Sequence, residues 1–205
     1  MSGGRGRLIA MEGGEASGKS TQARVLAASL GALLTREPGG TDIGGRIRAV
    51  VLAPDLGDLD PRAEALLMAA DRAQHVAEVV EPALARGTDV VTDRFTGSSL
   101  AYQGFGRGLD VDEVRRVSTW AAGGLEPDLV VLLDVPLDVA AGRRTEVEDR
   151  MEAEGAAFHA RVADGYRALA EAEPDRWVVV DGTGPPADVA ERVSKVVADR
   201  LESRA

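Results

Sequence analysis

The sequence predicts an α/β fold, a three-layer α/β/α arrangement around a five-stranded parallel sheet. Two observations carry that expectation. Short apolar runs recur along the 205 residues, each of a length that suits a buried strand. Between them lie longer stretches whose apolar residues return every three or four positions, the period of a helix. Strands that are apolar along their whole length belong to a sheet covered on both faces, as parallel sheets are.

The elements follow in order. Leu8-Ile9-Ala10-Met11 reads as a buried strand, followed by glycine-rich residues and a helix from Thr21 to Leu30. Ala32-Leu33-Leu34-Thr35 is a second strand. Helices are expected over about 41–52 and about 61–86. The β-branched run from Thr88 to Asp93 is the third strand. A helix over about 111–122 stops at Gly123-Gly124, a C-terminal signal. Asp128 to Asp134 forms the fourth strand and Trp177 to Asp181 the fifth. A long polar helix, about 151–172, lies between them, and a last helix runs over about 186–201. With no internal repeat and no low-complexity linker, one domain over 1–205 is expected. In open α/β sheets ligands bind beyond the carboxyl ends of the strands. Those ends are Glu12-Gly13, Arg36-Glu37, Asp93-Arg94, Asp134 and Asp181, most of them charged.

Composition excludes several chemistries. The chain has no cysteine and two histidines, His75 and His159. Disulfides, zinc–thiolate sites, iron–sulfur clusters, thiol nucleophiles and three-histidine metal sites are therefore out. Lys+Arg is 24 against 34 for Asp+Glu, a formal charge of −10, which repels nucleic-acid backbones and argues against nucleic-acid partners. Met1 to Arg7 lacks the apolar core of a signal peptide, and no apolar run nears the roughly 18 residues of a membrane span. A cytoplasmic protein without a membrane partner is expected.

Gly13-Gly14-Glu15-Ala16-Ser17-Gly18-Lys19-Ser20 matches G-x-x-x-x-G-K-[ST]. Glycines let successive N–H groups curl toward phosphate oxygens, and the following helix adds its positive N-terminus. Lys19 would reach the β- and γ-phosphates, and the Ser20 hydroxyl would bind Mg²⁺. With 24 glycines and two lysines in the chain, chance would produce the pattern only about 0.002 times. The fold expected is that of the P-loop NTPases. The loop leaves open a GTPase switch, an ATP-driven machine, a small-molecule kinase or a nucleotide-binding module without catalysis. The N-K-x-D motif that reads guanine needs a lysine, and the only other one, Lys195, sits in Ser194-Lys195-Val196-Val197. A kinase would also need a second substrate site.

Further blocks supply one. Thr35-Arg36-Glu37-Pro38-Gly39-Gly40-Thr41, Ala70-Asp71-Arg72-Ala73-Gln74-His75, Asp93-Arg94-Phe95, Ser98 to Gly104 and Gly124-Leu125-Glu126-Pro127-Asp128-Leu129 join Glu12 to Thr21 in one order. In these blocks the sequence resembles the thymidylate kinase family, over nearly its whole length. The resemblance implies transfer of a phosphoryl group from ATP to dTMP with Mg²⁺, by direct in-line attack, in a homodimer packed through helices. Other nucleoside monophosphates stay open as substrates.

The resemblance assigns Gly13 to Thr21 to ATP and gives Glu15, in the loop, a part in arranging the acceptor phosphate. Glu37 and Pro38 would line the phosphate and sugar side, with Arg48 adding charge. Arg72, one arginine on a mostly apolar helix, needs an anionic partner or a ligand if buried; the family sets it against thymine. One turn earlier the family commonly carries a phenylalanine that stacks on the base, where this chain has Met68, which can still pack on a ring. His75 is expected to be structural. Asp93 is placed to hold Mg²⁺ with Ser20, and Arg94 to clamp the acceptor phosphate with its planar fork. Ser99 and Gln103 would meet the thymine edge, and Tyr102 would occupy the place of a ribose 2′-hydroxyl.

Charge on the moving phosphoryl group must be neutralised. The family carries an arginine either in the phosphate loop or in a lid, and this loop has none. The lid expected at about 142–152 holds Arg143, Arg144 and Arg150, together with Glu146 and Glu148. Arg143 is expected against adenine, and Arg150 or Arg144 at the transferring phosphate. The catalytic set is then Glu15, Lys19, Arg94 and Arg150.

Overall fold

The computed structural model describes residues 4–143 and 149–202. The chain folds as β1 (Leu8–Glu12), α1 (Lys19–Leu30), β2 (Leu33–Arg36), α2 (Asp42–Val51), α3 (Pro61–His75), α4 (Glu81–Ala85), β3 (Val90–Asp93), α5 (Thr96–Ser99), α6 (Val111–Ala121), β4 (Leu129–Asp134), α7 (Leu137–Ala141), α8 (Ala156–Ala172), β5 (Trp177–Asp181) and α9 (Pro186–Glu202). All five strands pair in parallel in the order β2-β3-β1-β4-β5. This is the expected three-layer α/β P-loop NTPase fold.

Alternation along each strand divides the core in two. Leu8 and Ala10 of β1, Val90 of β3 and Val130 and Leu132 of β4 pack on one face with Val80, Leu84, Tyr102, Phe158, Val162 and Tyr166. Ile9, Met11, Val91, Val131 and Leu133 face the other way, against Ala23 and Leu26 of α1 and Val189, Val193 and Val197 of α9. Each such large side chain, fully buried, contributes about 1.5–3 kcal/mol relative to exposure. This is why the runs are apolar throughout rather than alternating. Central β1 therefore delivers its carboxyl end, and the loop after it, to the middle of the sheet edge.

Three departures from the expected elements have local causes. The helix expected over 61–86 is continuous but carries a π-helical turn at Val76–Val80. Pro82 has no N–H and would crowd the carbonyl four residues back, and one wide turn relieves both problems. A second π-helical stretch, Leu100–Gly106, follows α5. There a Cβ on Gly106 would lie 2.7 Å from the Phe158 ring, so the wide turn and the glycine together admit α8. Finally, α8 begins at Ala156 rather than near 151. The Asp149 carboxylate accepts from the N–H groups of Met151 and Glu152 at 2.8 and 2.9 Å, a local turn that competes with helix. Among the described residues no helix is long and apolar enough to cross a membrane.

Candidate active site

The phosphate loop bridges β1 and α1. Gly13 has φ +150, and a Cβ there would meet Leu133 O at 2.8 Å and Ser17 Oγ at 2.9 Å, so the position requires glycine. Gly18, at φ +89, caps α1, and its carbonyl accepts from the Thr21 and Gln22 N–H groups. Lys19 is buried, and its Nζ donates to Gly14 O at 3.0 Å, curled over the loop. Burial and the nearby Arg94 charge push its pKa down, with Glu15 opposing them. The Ser17 hydroxyl is buried and has no partner among the described residues. An unsatisfied buried hydroxyl is costly unless a ligand pairs it.

Ser20 Oγ donates to Asp93 Oδ2 at 2.5 Å, joining the start of α1 to the end of β3. Asp93 Oδ1 is buried with no partner among the described residues. A hydroxyl and a carboxylate with a spare oxygen form a hard-oxygen set that fits Mg²⁺. Among the described residues no group of three or more His, Cys, Asp or Glu could form an all-protein metal cage. Mg²⁺ usually takes one or two protein oxygens plus water and phosphate.

Glu15 and Arg94 form the hub. Arg94 Nη2 donates to Glu15 Oε1 at 2.6 Å and to Tyr102 Oη at 3.1 Å. Its Nη1 reaches Gly13 O, Ser98 Oγ and Tyr166 Oη at 3.1–3.2 Å, and its guanidinium lies 4.9 Å from the Tyr102 ring centroid. Tyr102 also donates to Glu15 Oε1 at 2.6 Å. Burial alone would raise the Glu15 pKa, but the Arg94 and Lys19 charges and the Tyr102 hydroxyl outweigh it and hold it at about 2. Arg94 sits at φ +74, a left-handed conformation that costs a residue with a Cβ about 1–2 kcal/mol. Its N–H is fixed to Met11 O at 2.9 Å. Such strain persists where the surroundings over-determine a side chain's aim.

A cleft of about 230 Å³ opens beside this hub. Glu15, Lys19, Ser20, Asp93 and Arg94 line its phosphate-loop end, and Glu37, Pro38, Arg48, Met68, Arg72, Ser99, Tyr102 and Gln103 line the rest. Positions far apart in sequence thus meet in one cavity. Arg72 has its anion: Nε donates to Glu37 Oε2 at 2.9 Å, while its other nitrogens reach Ser99 Oγ, Ser118 Oγ and Phe95 O. Glu37 borders the cleft, yet both its oxygens are committed, Oε1 meeting His75 Nδ1 at 2.8 Å. His75 in turn meets Thr35 Oγ1 at 2.7 Å and is fully buried, a structural histidine as expected. Arg48 of α2 donates to Pro38 O at 3.1 Å, and burial lowers its pKa.

Two of the lid arginines, Arg143 and Arg150, sit apart from the cleft. Arg143 lies over the outer side of the phosphate loop, donating to Gly182 O at 3.1 and 3.2 Å and touching Ser17 O at 3.5 Å. Arg150 is held at the far rim, Nε on Val51 O at 2.8 Å and Nη2 on Glu64 Oε2 at 2.5 Å. Arg144, Glu146 and Glu148 lie outside the described residues.

Four further participants are ones to which the motifs assign no role. Glu12 ends β1 wholly buried, accepting from the Phe95 and Ser98 N–H groups, Ser98 Oγ and Tyr166 Oη. Burial pushes its pKa up. Glu12 closes an apolar strand and opens the phosphate-loop block, but neither signal gives it a role. Tyr166 comes from α8 and Arg36 from the end of β2. Asp71 stands beside Arg72 in the Ala70 to His75 block, which gives it no role of its own. It accepts from Gly39 N at 2.8 Å, its Oδ2 is buried without a partner among the described residues, and burial raises its pKa.

The thymidylate kinase family model matches residues 11–193. A thymidylate kinase of a Synechococcus strain is 49% identical over 199 residues, covering 95% of each chain. That of Leifsonia xyli is 53% identical over 197 residues, covering 92% of each. That of Clavibacter sepedonicus is 51% identical over 211 residues, covering 98% of this chain and 94% of the relative.

Proposed function

The chain belongs to the thymidylate kinase family, and we propose that it phosphorylates dTMP to dTDP with ATP and Mg²⁺ by direct in-line transfer, as one nucleoside monophosphate kinase domain in the cytoplasm. The observation that carries this reading is the junction of the phosphate loop with a second anion-ready cleft at Glu15, Lys19 and Arg94.

The ATP phosphates lie in the loop from Gly13 to Thr21. Unpaired Ser17 Oγ and Lys19 Nζ turn from loop to phosphate, the lysine exchanging Gly14 O for phosphate oxygen. Ser20 and Asp93 would hold Mg²⁺, which would supply positive charge to offset that of the phosphates. Arg143 packs against adenine beside Gly182. On the acceptor side Arg94 clamps the dTMP phosphate, with Arg48 adding charge. Glu15 is not a proton acceptor in this scheme: with its pKa held at about 2 it stays ionised and fixes the Arg94 fork. A monophosphate oxygen is already a nucleophile, so no base is required.

Ser99, Gln103 and Arg72 take the base edge, Met68 packs on its face, and Tyr102 fills the space of a 2′-hydroxyl. Lid closure brings Arg150 from Glu64 to the transferring phosphate and excludes water. A homodimer is supported by the apolar side chains left outside on neighbouring helices: Ile43 and Val50 of α2, Leu66 of α3 and Trp120 of α6, the last 82% exposed. The test is ADP release with dTMP, dUMP, dCMP, AMP and GMP offered in turn. Stimulation by dTMP supports the reading; stimulation by none removes the kinase, and by another alone removes only the substrate.

A further inference from the structure

Glu64 stands on the first turn of α3 and is wholly buried. Its carboxylate accepts from Gln103 Nε2 at 2.8 Å, from Arg107 Nε at 3.2 and 3.3 Å, and from Arg150 Nη2 at 2.5 Å. A buried carboxylate ringed by two guanidinium groups is ionised, because the charge is both paired and hydrogen-bonded. Burial would raise its pKa, but the Gln103, Arg150 and Arg107 bonds together bring it down. An ionised carboxylate only accepts.

That one-way chemistry decides how Gln103 stands. A free glutamine amide can present either its oxygen or its nitrogen to a ligand. Here Nε2 must face Glu64, which leaves Oε1 for the cleft that Gln103 lines. Among the described residues nothing donates to that oxygen. Across the cleft Arg72 can only donate. The pocket therefore offers one acceptor and one donor in fixed places. A base edge with an N–H beside a carbonyl, as in thymine and uracil, matches both. Cytosine, with an unprotonated ring nitrogen beside an amino group, mismatches both.

We propose that Glu64 is a positioning residue for base selection, fixing the Gln103 amide so that the cleft accepts a pyrimidine with a ring N–H and rejects cytosine. The proposal rests on the thymidylate reading above. It also gives the buried acid a role besides its contact with Arg150. The substitution Glu64→Gln keeps the side chain's shape but frees the orientation. The new amide can turn its oxygen to the arginines and its nitrogen to Gln103, and the Gln103 amide then flips.

The experiment compares dTMP with dCMP in the ADP-release assay. Glu64→Gln is expected to lower kcat/KM for dTMP by about tenfold or more, and the dTMP-to-dCMP ratio with it. The loss falls on KM for dTMP, with KM for ATP unchanged. Arg107→Gln disturbs the same cluster but leaves the anion facing Gln103, so its ratio stays at the wild-type value. The exchange Glu64→Gln with Gln103→Glu again turns an acceptor to the base and recovers the preference; it decides the matter alone if Glu64→Gln does not fold. An unchanged ratio in Glu64→Gln, an equal fall in Arg107→Gln, or an exchange variant without preference each overturns the proposal. Wild-type enzyme that ignores dTMP would instead remove the function on which it rests.

Discussion

Glu15→Gln is the sharpest probe of the hub. The substitution keeps the side chain's size and removes only its charge. In the native protein the Arg94 and Lys19 charges hold Glu15 at about 2, against an ordinary value of 4.5. That difference of about 2.5 is worth about 3 kcal/mol at 1.36 kcal/mol each. Because the folded pKa is depressed, this stabilisation is fully present above the unfolded value near 4.5. It fades as pH falls toward 2 and is lost below it. Near pH 3 about 1.4 kcal/mol should remain. The assay is urea denaturation of both proteins from pH 7 to pH 3, following the difference between them. Glu12 and Asp71, whose burial raises their pKa, act with the opposite sign but are common to both proteins and cancel. The expected result is a gap about 2 kcal/mol wider at pH 7 than at pH 3. A gap independent of pH over that range would refute the claim that Glu15 works as a charge against Arg94.

Lys19→Ala should abolish phosphoryl transfer with little change in melting temperature, and Arg150→Ala should cut kcat at least tenfold. If Arg150→Ala turns over normally while Lys19→Ala is dead, Arg150 belongs to its Glu64 contact and not to chemistry. Asp93→Asn should raise the Mg²⁺ concentration for half-maximal activity about ten- to a hundredfold, read by metal titration. Leu132→Ala, which empties space in a wholly buried strand, should cost about 2–5 kcal/mol by denaturant titration and leave KM values unchanged.

The sheet was legible because burial on both faces forces a plain signal: Leu8 to Met11 and Leu129 to Leu133 are apolar without a break. The phosphate loop was legible because Gly13 and Gly18 must be glycine and their neighbours are fixed by one ligand's shape. The π-helical turns were not, since a single wide turn barely disturbs a helical period. Only Pro82 and Gly106 hint at them, and each has other uses. The shared cleft could be assembled from motifs, but the partnerships within it could not. Glu12 meets Tyr166 across 154 positions, and nothing local in either stretch names the other. Arg72 showed the need for an anion; that Glu37 supplies it followed only from the fold. Arg150 stood in a segment whose charges suggested chemistry, while its nearest anion, Glu64, sat 86 positions away on α3.

The central claim is that the phosphate loop and the cleft beside Arg94 hold donor and acceptor for one transfer. Its most direct measurement is simultaneous quantitation of ADP and dTDP from the purified chain given ATP, Mg²⁺ and dTMP. Equal amounts of the two products, both lost in Lys19→Ala, are predicted. ADP formed without dTDP would show water, not dTMP, at the γ-phosphate and would contradict the account.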